Sequence, residues 1–264
     1  MFEIDDSLDY TMPAHFGGTE LVPGHVATQR VTALVIAYET DRALLEAFVP
    51  REFTLRAPEV QVMFATFAGV NWLAGARYNL VNVSAPVRFD GSRDHLDGDY
   101  TLVTWENSTE PILRGREQSG VPKVYAEIQD LREVGPYYST NASFAGNTFL
   151  SLEFESAGPL AGSELGEVRA GMATLNTIGW RYIPRINGPG ADLSQFVLFP
   201  QGLDLERAEA GAGSLRWTAL SWMQHPTQHR IIEGLASLPV ERVTRAVLGE
   251  GTGVLDRLGS RLLE

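Results

Sequence analysis

The sequence predicts a mainly β protein of the α+β class: one large curved antiparallel sheet, closed or strongly bent, with a few peripheral helices. Three observations carry this reading. Nine runs are rich in β-branched and aromatic residues and are bounded by Gly, Pro, Asn or Asp. Helical periodicity is scarce and confined to early and late positions. The strands do not alternate with helices, which argues against a βαβ fold. A curved sheet of many strands leaves an interior cavity. No repeat, low-complexity segment or charged linker divides the chain, so residues 1–264 are read as one domain.

The predicted strands, in order, are Val31–Tyr38, Gln61–Val70, Tyr78–Phe89, Tyr100–Glu106, Lys123–Leu131, Tyr137–Phe144, Thr148–Glu155, Trp180–Ile186 and Ser214–Ser221. The segment "SLEFES" alternates apolar and polar residues, as a half-buried antiparallel strand does. Asp41–Val49 reads as a short helix with Thr40 or Asp41 as N-cap. Pro226–Leu238 and Pro239–Leu248 read as two further helices, each with Pro near its first position. The glycine clusters at 187–190 and 249–253 read as turns, since neither has the setting or the lysine of a phosphate loop.

Composition narrows the function. The 264 residues are 44% hydrophobic and 20% charged, enough apolar material for a core. No apolar run reaches transmembrane length. The acidic start "MFEIDDSLDY" lacks the basic and apolar regions of a secretory signal, so a cytoplasmic protein is expected. No cysteine is present, which excludes disulfides, zinc-thiolate sites and thiol nucleophiles. A net charge of -12 repels phosphate backbones and argues against a nucleic-acid partner. An anionic substrate would need a local convergence of arginines.

One feature of composition points to chemistry. Of the 21 Lys and Arg residues, Lys123 alone is lysine. Coding bias explains the loss of lysines but not the retention of the last one. Arginine stays protonated, whereas lysine serves as an amine nucleophile when its proton is removed. An ordinary lysine, with a pKa of ~10.4, is only about 0.1% neutral at pH 7.4, so such a site must disfavour the ammonium. Lys123 follows "SGVP" in a Gly/Pro-punctuated turn entering a strand. Its apolar surroundings, with Val121, Val124 and Met63 expected as the wall, would desolvate the amine.

The stretch "GREQSGVPKVYAEI" resembles the active-site signature of the acetoacetate decarboxylase superfamily, in which a lysine after proline forms a Schiff base with a keto acid. Gly115, Arg116, Glu117, Pro122 and Lys123 stand in the matching places. Weaker similarity covers most of the chain, including "TEPILRGRE", "SAPVRFDG" and "WRYIPRI". The resemblance implies a β-cone-like barrel, homo-oligomeric, without metal or organic cofactor. Three departures stand out. The second lysine that follows the nucleophile in true acetoacetate decarboxylases is Val124 here, their two pocket glutamates fall at Met63 and Leu80, and their leucine after G-R-E is Gln118. Such a site resembles those superfamily members that condense pyruvate with an aldehyde and then dehydrate the product. The expected roles are Lys123 as nucleophile, Glu117 as acid/base, Arg30 or Arg116 as carboxylate clamp, Gln118 as hydrogen-bond donor, and Met63, Leu80 and Val121 as pocket wall. Decarboxylation of acetoacetate or another β-keto acid is the alternative reading.

Two rival constellations remain. His225, His229 and Glu233 would share a helical face and could hold a metal, but Pro226 places His225 ahead of the helix, so no metal is assigned. A non-catalytic barrel binding a small apolar ligand is the other; it would have no need of a neutral amine at Lys123.

Overall fold

The computed structural model describes residues 2–20, 27–255 and 259–264. The principal strands are β1 (Ala27–Glu39), β2 (Glu59–Val70), β3 (Ala76–Asp90), β4 (His95–Glu106), β5 (Lys123–Tyr125), β6 (Tyr137–Phe144), β7 (Asn147–Pro159), β8 (Leu175–Pro184), β9 (Ala191–Trp217) and β10 (Arg242–Leu255). The α-helices are α1 (Arg42–Glu46), α2 (Thr109–Glu117), α3 (Gly162–Ala173) and α4 (His229–Ala236).

β1 to β4 pair antiparallel in chain order. β4 then takes β8 in parallel at Asp99 and Tyr100. β8 pairs with β9, β9 with β10, and β10 returns to β1, all antiparallel. The strands therefore close a ring, one of the two forms the sequence reading allowed, and the parallel β4–β8 pairing makes the sheet mixed where an antiparallel one was expected. β9 makes the closure possible. Its 27 residues pair first with β8, then with β10, and finally leave the ring to pair with β7.

Alternation along each strand divides the apolar residues between two sides. On β1, Leu34, Ile36 and Tyr38 join the main core, whereas Val31 and Ala33 join a smaller cluster inside the ring. On β3, Val81, Val83 and Val87 face the main core. Tyr78, Leu80, Asn82 and Ser84 face the ring interior. Trp105, Phe149 and Leu150 are buried where β4 meets the outer sheet, and α4 adds Ile232 and Leu235. The fully buried side chains each contribute roughly 1.5–3 kcal/mol. α3, whose residues are nowhere fully buried, lies against the ring interior, with Leu165, Val168 and Met172 packed on the inner cluster and Glu167 and Gly171 on the cavity wall.

Several elements differ from the sequence expectation. Pro239–Leu248 is not a helix: β10 runs through it, because both of its edges are claimed, by β1 and by β9. The glycines at 249–253 lie in that strand rather than in a turn. A Cβ on Gly251 would stand 2.1 Å from the Asp204 carbonyl oxygen, so the crossing of β9 requires glycine there. The expected strand Lys123–Leu131 is broken into β5 and a two-residue strand, Glu127–Ile128. Helices α2 and α3 were not anticipated. Pro111 sits in the first turn of α2, where its missing N–H costs nothing. The helix expected at Pro226–Leu238 forms over His229–Ala236.

Candidate active site

The free edge of β4 is shared by two partners. Asp99 and Tyr100 take β8, while Thr104, Trp105 and Glu106 take β5 in parallel, with Thr104 opposite Lys123. α2 lies between the paired segments in sequence, and the turn from 118 to 122 folds back on it. Val121 N–H donates to the Gly115 carbonyl at 3.0 Å, and Thr104 N–H donates to the Pro122 carbonyl at 3.1 Å. Arg116 Nη1 donates to the Lys123 carbonyl at 3.0 Å. The backbone of Lys123 is thus fixed from both sides.

Its side chain runs across α2 at Gly115. A Cβ there would stand 2.4 Å from Lys123 Cδ and Cε. Glycine in the G-R-E sequence is the groove in which the lysine stem lies. The stem delivers Nζ to Glu106 Oε1 at 2.7 Å and to the Pro111 carbonyl at 3.2 Å. Lys123 is 15% exposed at its side chain and Glu106 not at all. Burial pushes the Glu106 carboxyl above its ordinary range, and the Lys123 charge offsets part of that rise. Among the described residues, Glu106 Oε2 has no hydrogen-bond partner. Tyr78 lies two residues before Leu80, which pairs with Glu106. Burial, helped by the Glu106 charge, pushes its hydroxyl far above the usual range, so it remains a protonated donor.

These groups face a cavity of about 580 Å³ inside the ring. Lys123, Gln118, Met63, Leu80 and Val121, all expected from sequence, line it. The remaining expected residues lie elsewhere. Arg30 projects outward from β1 into an ion pair with Glu206, and Arg116 is committed to the Lys123 backbone. Glu117, half-buried at the end of α2, is outside the lining. The arginines of the cavity wall are Arg114, which stacks over Trp72 at 5.5 Å, and Arg245. Gln118 Nε2 donates to Asp9 Oδ1 at 2.8 Å and ties the N-terminal segment to the cavity rim. The apolar wall expected around the amine is only half present. Val121 and Met63 line the cavity, but pleating turns Val124 to the main core. A carboxylate stands nearest the amine instead.

Glu106 and Tyr78 escape sequence reasoning, and Arg114 is not among the residues expected in the site. The available signal for Glu106 was a charge closing the apolar strand "TLVTWE". His225 precedes α4, is fully buried and stacks on Phe144 at 3.8 Å. Among the described residues, no group of three or more His, Cys, Asp or Glu side chains is arranged to hold a metal ion. No helix among them is long and apolar enough to cross a membrane.

A structural barrel fills its interior with side chains. This ring keeps an open chamber and places in it a buried amine, a buried carboxylate and, among the described residues, an unpaired carboxylate oxygen, the features of a candidate active site. The family model for acetoacetate decarboxylase (ADC) matches residues 11–258, and the chain belongs to that family. Acetoacetate decarboxylase from Legionella pneumophila shares the fold at 19% identity, with a TM-score of 0.75 over 97% of this chain and 94% of that one. A second acetoacetate decarboxylase structure matches at 16% identity and TM-score 0.76, over 99% and 98%. The enduracididine biosynthesis enzyme MppR, complexed with the condensation product of pyruvate and imidazole 4-carboxaldehyde, matches at 15% identity and TM-score 0.72, over 97% and 96%. Comparison with curated proteins returned no match.

Proposed function

We propose that the protein is a Schiff-base lyase that condenses pyruvate with an aldehyde and dehydrates the product, with Lys123 as the nucleophile. The observation that carries this reading is the 2.7 Å contact between Lys123 Nζ and the buried Glu106 carboxylate. Two opposite charges held out of water are costly to maintain. Moving one proton along the contact converts them to a neutral amine and a neutral acid, and the neutral amine is the form that adds to a carbonyl.

The steps follow from these groups. Lys123 Nζ attacks the pyruvate C2 carbonyl, and protonation of the resulting carbinolamine hydroxyl by Glu106 releases water and leaves an iminium. The iminium acidifies the adjacent methyl group. Glu106, now a carboxylate, takes one methyl proton, and the electron pair becomes an enamine. The enamine carbon attacks the aldehyde carbon, and the new alkoxide takes its proton from Glu106. Glu106, again a carboxylate, takes the second proton from the former methyl carbon and passes it to the hydroxyl, which leaves as water. Hydrolysis of the imine returns Lys123 and releases an unsaturated 2-oxo acid. Pyruvate plus aldehyde gives product plus one water, and the imine itself is the electron sink, so the chemistry calls for no cofactor.

The substrate carboxylate survives this reaction and needs a cation. Arg114 supplies it from α2, one residue before the glycine that cradles the lysine stem. That assignment replaces Arg30 and Arg116, whose guanidinium groups are engaged elsewhere. Glu106 takes the acid/base role first sought at Glu117. The fold is shared with an enzyme complexed with the condensation product of pyruvate and imidazole 4-carboxaldehyde, and equally with acetoacetate decarboxylases.

The test is borohydride reduction in the presence of pyruvate or acetoacetate, followed by intact mass and peptide mapping. Lys123 and the α-amino group are the amines available for trapping. An adduct on Lys123 is expected. No adduct with either keto acid, or one on the α-amino group, overturns the proposal. Measuring CO₂ release beside the absorbance of the unsaturated product separates decarboxylation from condensation.

A further inference from the structure

The cavity continues past the amine, and the register of β4 explains how. Thr104 pairs with Asn82 and Val103 with Val83, after which the ladder skips Leu102 and resumes with Thr101 opposite Ser84. Without this bulge, alternation would turn Thr101 and Asp99 to the main core and Leu102 to the cavity. With it, Leu102 packs on the main core, and Thr104, Thr101 and Asp99 all line the cavity. Bulges beside active sites re-aim side chains in this way.

The re-aimed residues form a polar arm with spare capacity. Thr101 is 1% exposed, and among the described residues its Oγ1 has no hydrogen-bond partner. Asp99 is held by a relay in which Arg245 Nη2 donates to Gln61 Oε1 at 2.8 Å and Gln61 Nε2 donates to Asp99 Oδ1 at 3.2 Å. Six non-hydrogen atoms of pyruvate, each taken at roughly the 30 Å³ share of a water molecule, fill only about a third of the chamber of about 580 Å³ and leave room for a second substrate.

The strands set the reach. Leu80 pairs with Glu106 at the amine, and Ser84 pairs with Thr101. Four residues of strand span roughly 13 Å. The three bonds from Nζ to the new carbon take about 4 Å, and a hydrogen bond takes about 3 Å more.

We infer that this arm recognises the second substrate, an aldehyde carrying a hydroxyl or similar hydrogen-bond donor about 6 Å beyond its carbonyl carbon, held by Thr101 and Asp99. The assignment rests on the pyruvate–aldehyde reading above. It makes the bulge a specificity device, since the arm is built for a polar tail and leaves buried groups unpaired when the tail is apolar.

The probe pair is 4-(hydroxymethyl)benzaldehyde and 4-ethylbenzaldehyde, alike in size and different in one hydroxyl. With pyruvate present, kcat/KM for forming the unsaturated product should favour the hydroxylated aldehyde by about tenfold or more. Thr101→Val should bring the two near parity, and Thr101→Ser should keep the preference. Calorimetry with the matching alcohols, 1,4-benzenedimethanol and 4-ethylbenzyl alcohol, should show the same pattern without pyruvate. If Thr101→Val does not fold, Asp99→Asn carries the same comparison. A wild-type protein without the preference, or a preference that survives Thr101→Val or, where that variant does not fold, Asp99→Asn, overturns the assignment. Binding of the alcohols needs no imine, so failed trapping at Lys123 refutes the Schiff-base reading while a missing preference refutes this arm.

Discussion

Gly115→Ala tests the geometry of the lysine most directly. The added methyl would stand 2.4 Å from Lys123 Cδ and Cε and 2.9 Å from Nζ. Carbon atoms rest at about 3.5–4.0 Å, so the stem must retreat by roughly 1 Å or more. The backbone cannot absorb this, since the Lys123 carbonyl is held by Arg116 and the Pro122 carbonyl by Thr104 N–H. The amine therefore leaves its 2.7 Å contact with Glu106. Overpacking costs about 1–3 kcal/mol, and replacing a helical glycine by alanine returns up to about 1 kcal/mol, so the fold survives. A misplacement of 1 Å at a reacting group costs about 100-fold, so the chemistry does not survive. The assay is the rate of borohydride trapping with pyruvate, read by intact mass beside a thermal melt. Gly166→Ala is the control: it lies in α3 with nothing within 4 Å of the added methyl and should trap at the wild-type rate. Wild-type trapping in Gly115→Ala would refute the idea that glycine shapes the bed of the nucleophile.

Three further outcomes are expected. Glu106→Gln should abolish trapping near neutral pH and change the pH dependence of stability. A carboxyl raised in the folded state favours folding only while protonated, so its penalty grows as pH rises from the ordinary value of 4.5 through the raised one. Urea midpoints measured upward from pH 4.5 should lose that slope in the variant. Arg114→Ala should raise KM for pyruvate by roughly 10–100-fold with little change in kcat, the loss of a charge-assisted hydrogen bond made equally in ground and transition states. Asp94, bonded by Arg261 and by the Glu264 N–H, is held down to about 2, so its contribution is present above the ordinary value of 3.8 and is lost as pH falls through about 2. Asp94→Asn should flatten the acid limb of an unfolding titration followed by circular dichroism.

The parts of the fold that the sequence reveals are those set by local pattern. Richness in β-branched and aromatic residues places Val31–Tyr38, Gln61–Val70 and Tyr78–Phe89 in β1, β2 and β3 with little revision. Where pairing partners decide, local pattern misleads. Val240, Val243 and Val247 have helical spacing, yet β1 and β9 draw most of that segment into β10. α3 escapes notice because its "GSELGEVRAGMA" carries three glycines and only a thin stripe of Leu165, Val168 and Met172, and buries no residue completely. The nucleophile was legible because it was compositionally singular. Its partner was not, since Glu106 meets Lys123 only through a parallel pairing formed across α2. That pairing answers why lysine was kept in a chain that otherwise uses arginine. A guanidinium beside Glu106 would hold its proton permanently and leave a fixed ion pair. The unbranched lysine stem fits the groove over Gly115, and its ammonium can give its proton to the buried Glu106 carboxylate. The same contact predicts a double dependence: Lys123→Arg should retain the ion pair and the fold while losing all trapping. A Lys123→Arg variant that unfolds as readily as Lys123→Ala would show that shape, rather than proton transfer, selected the residue.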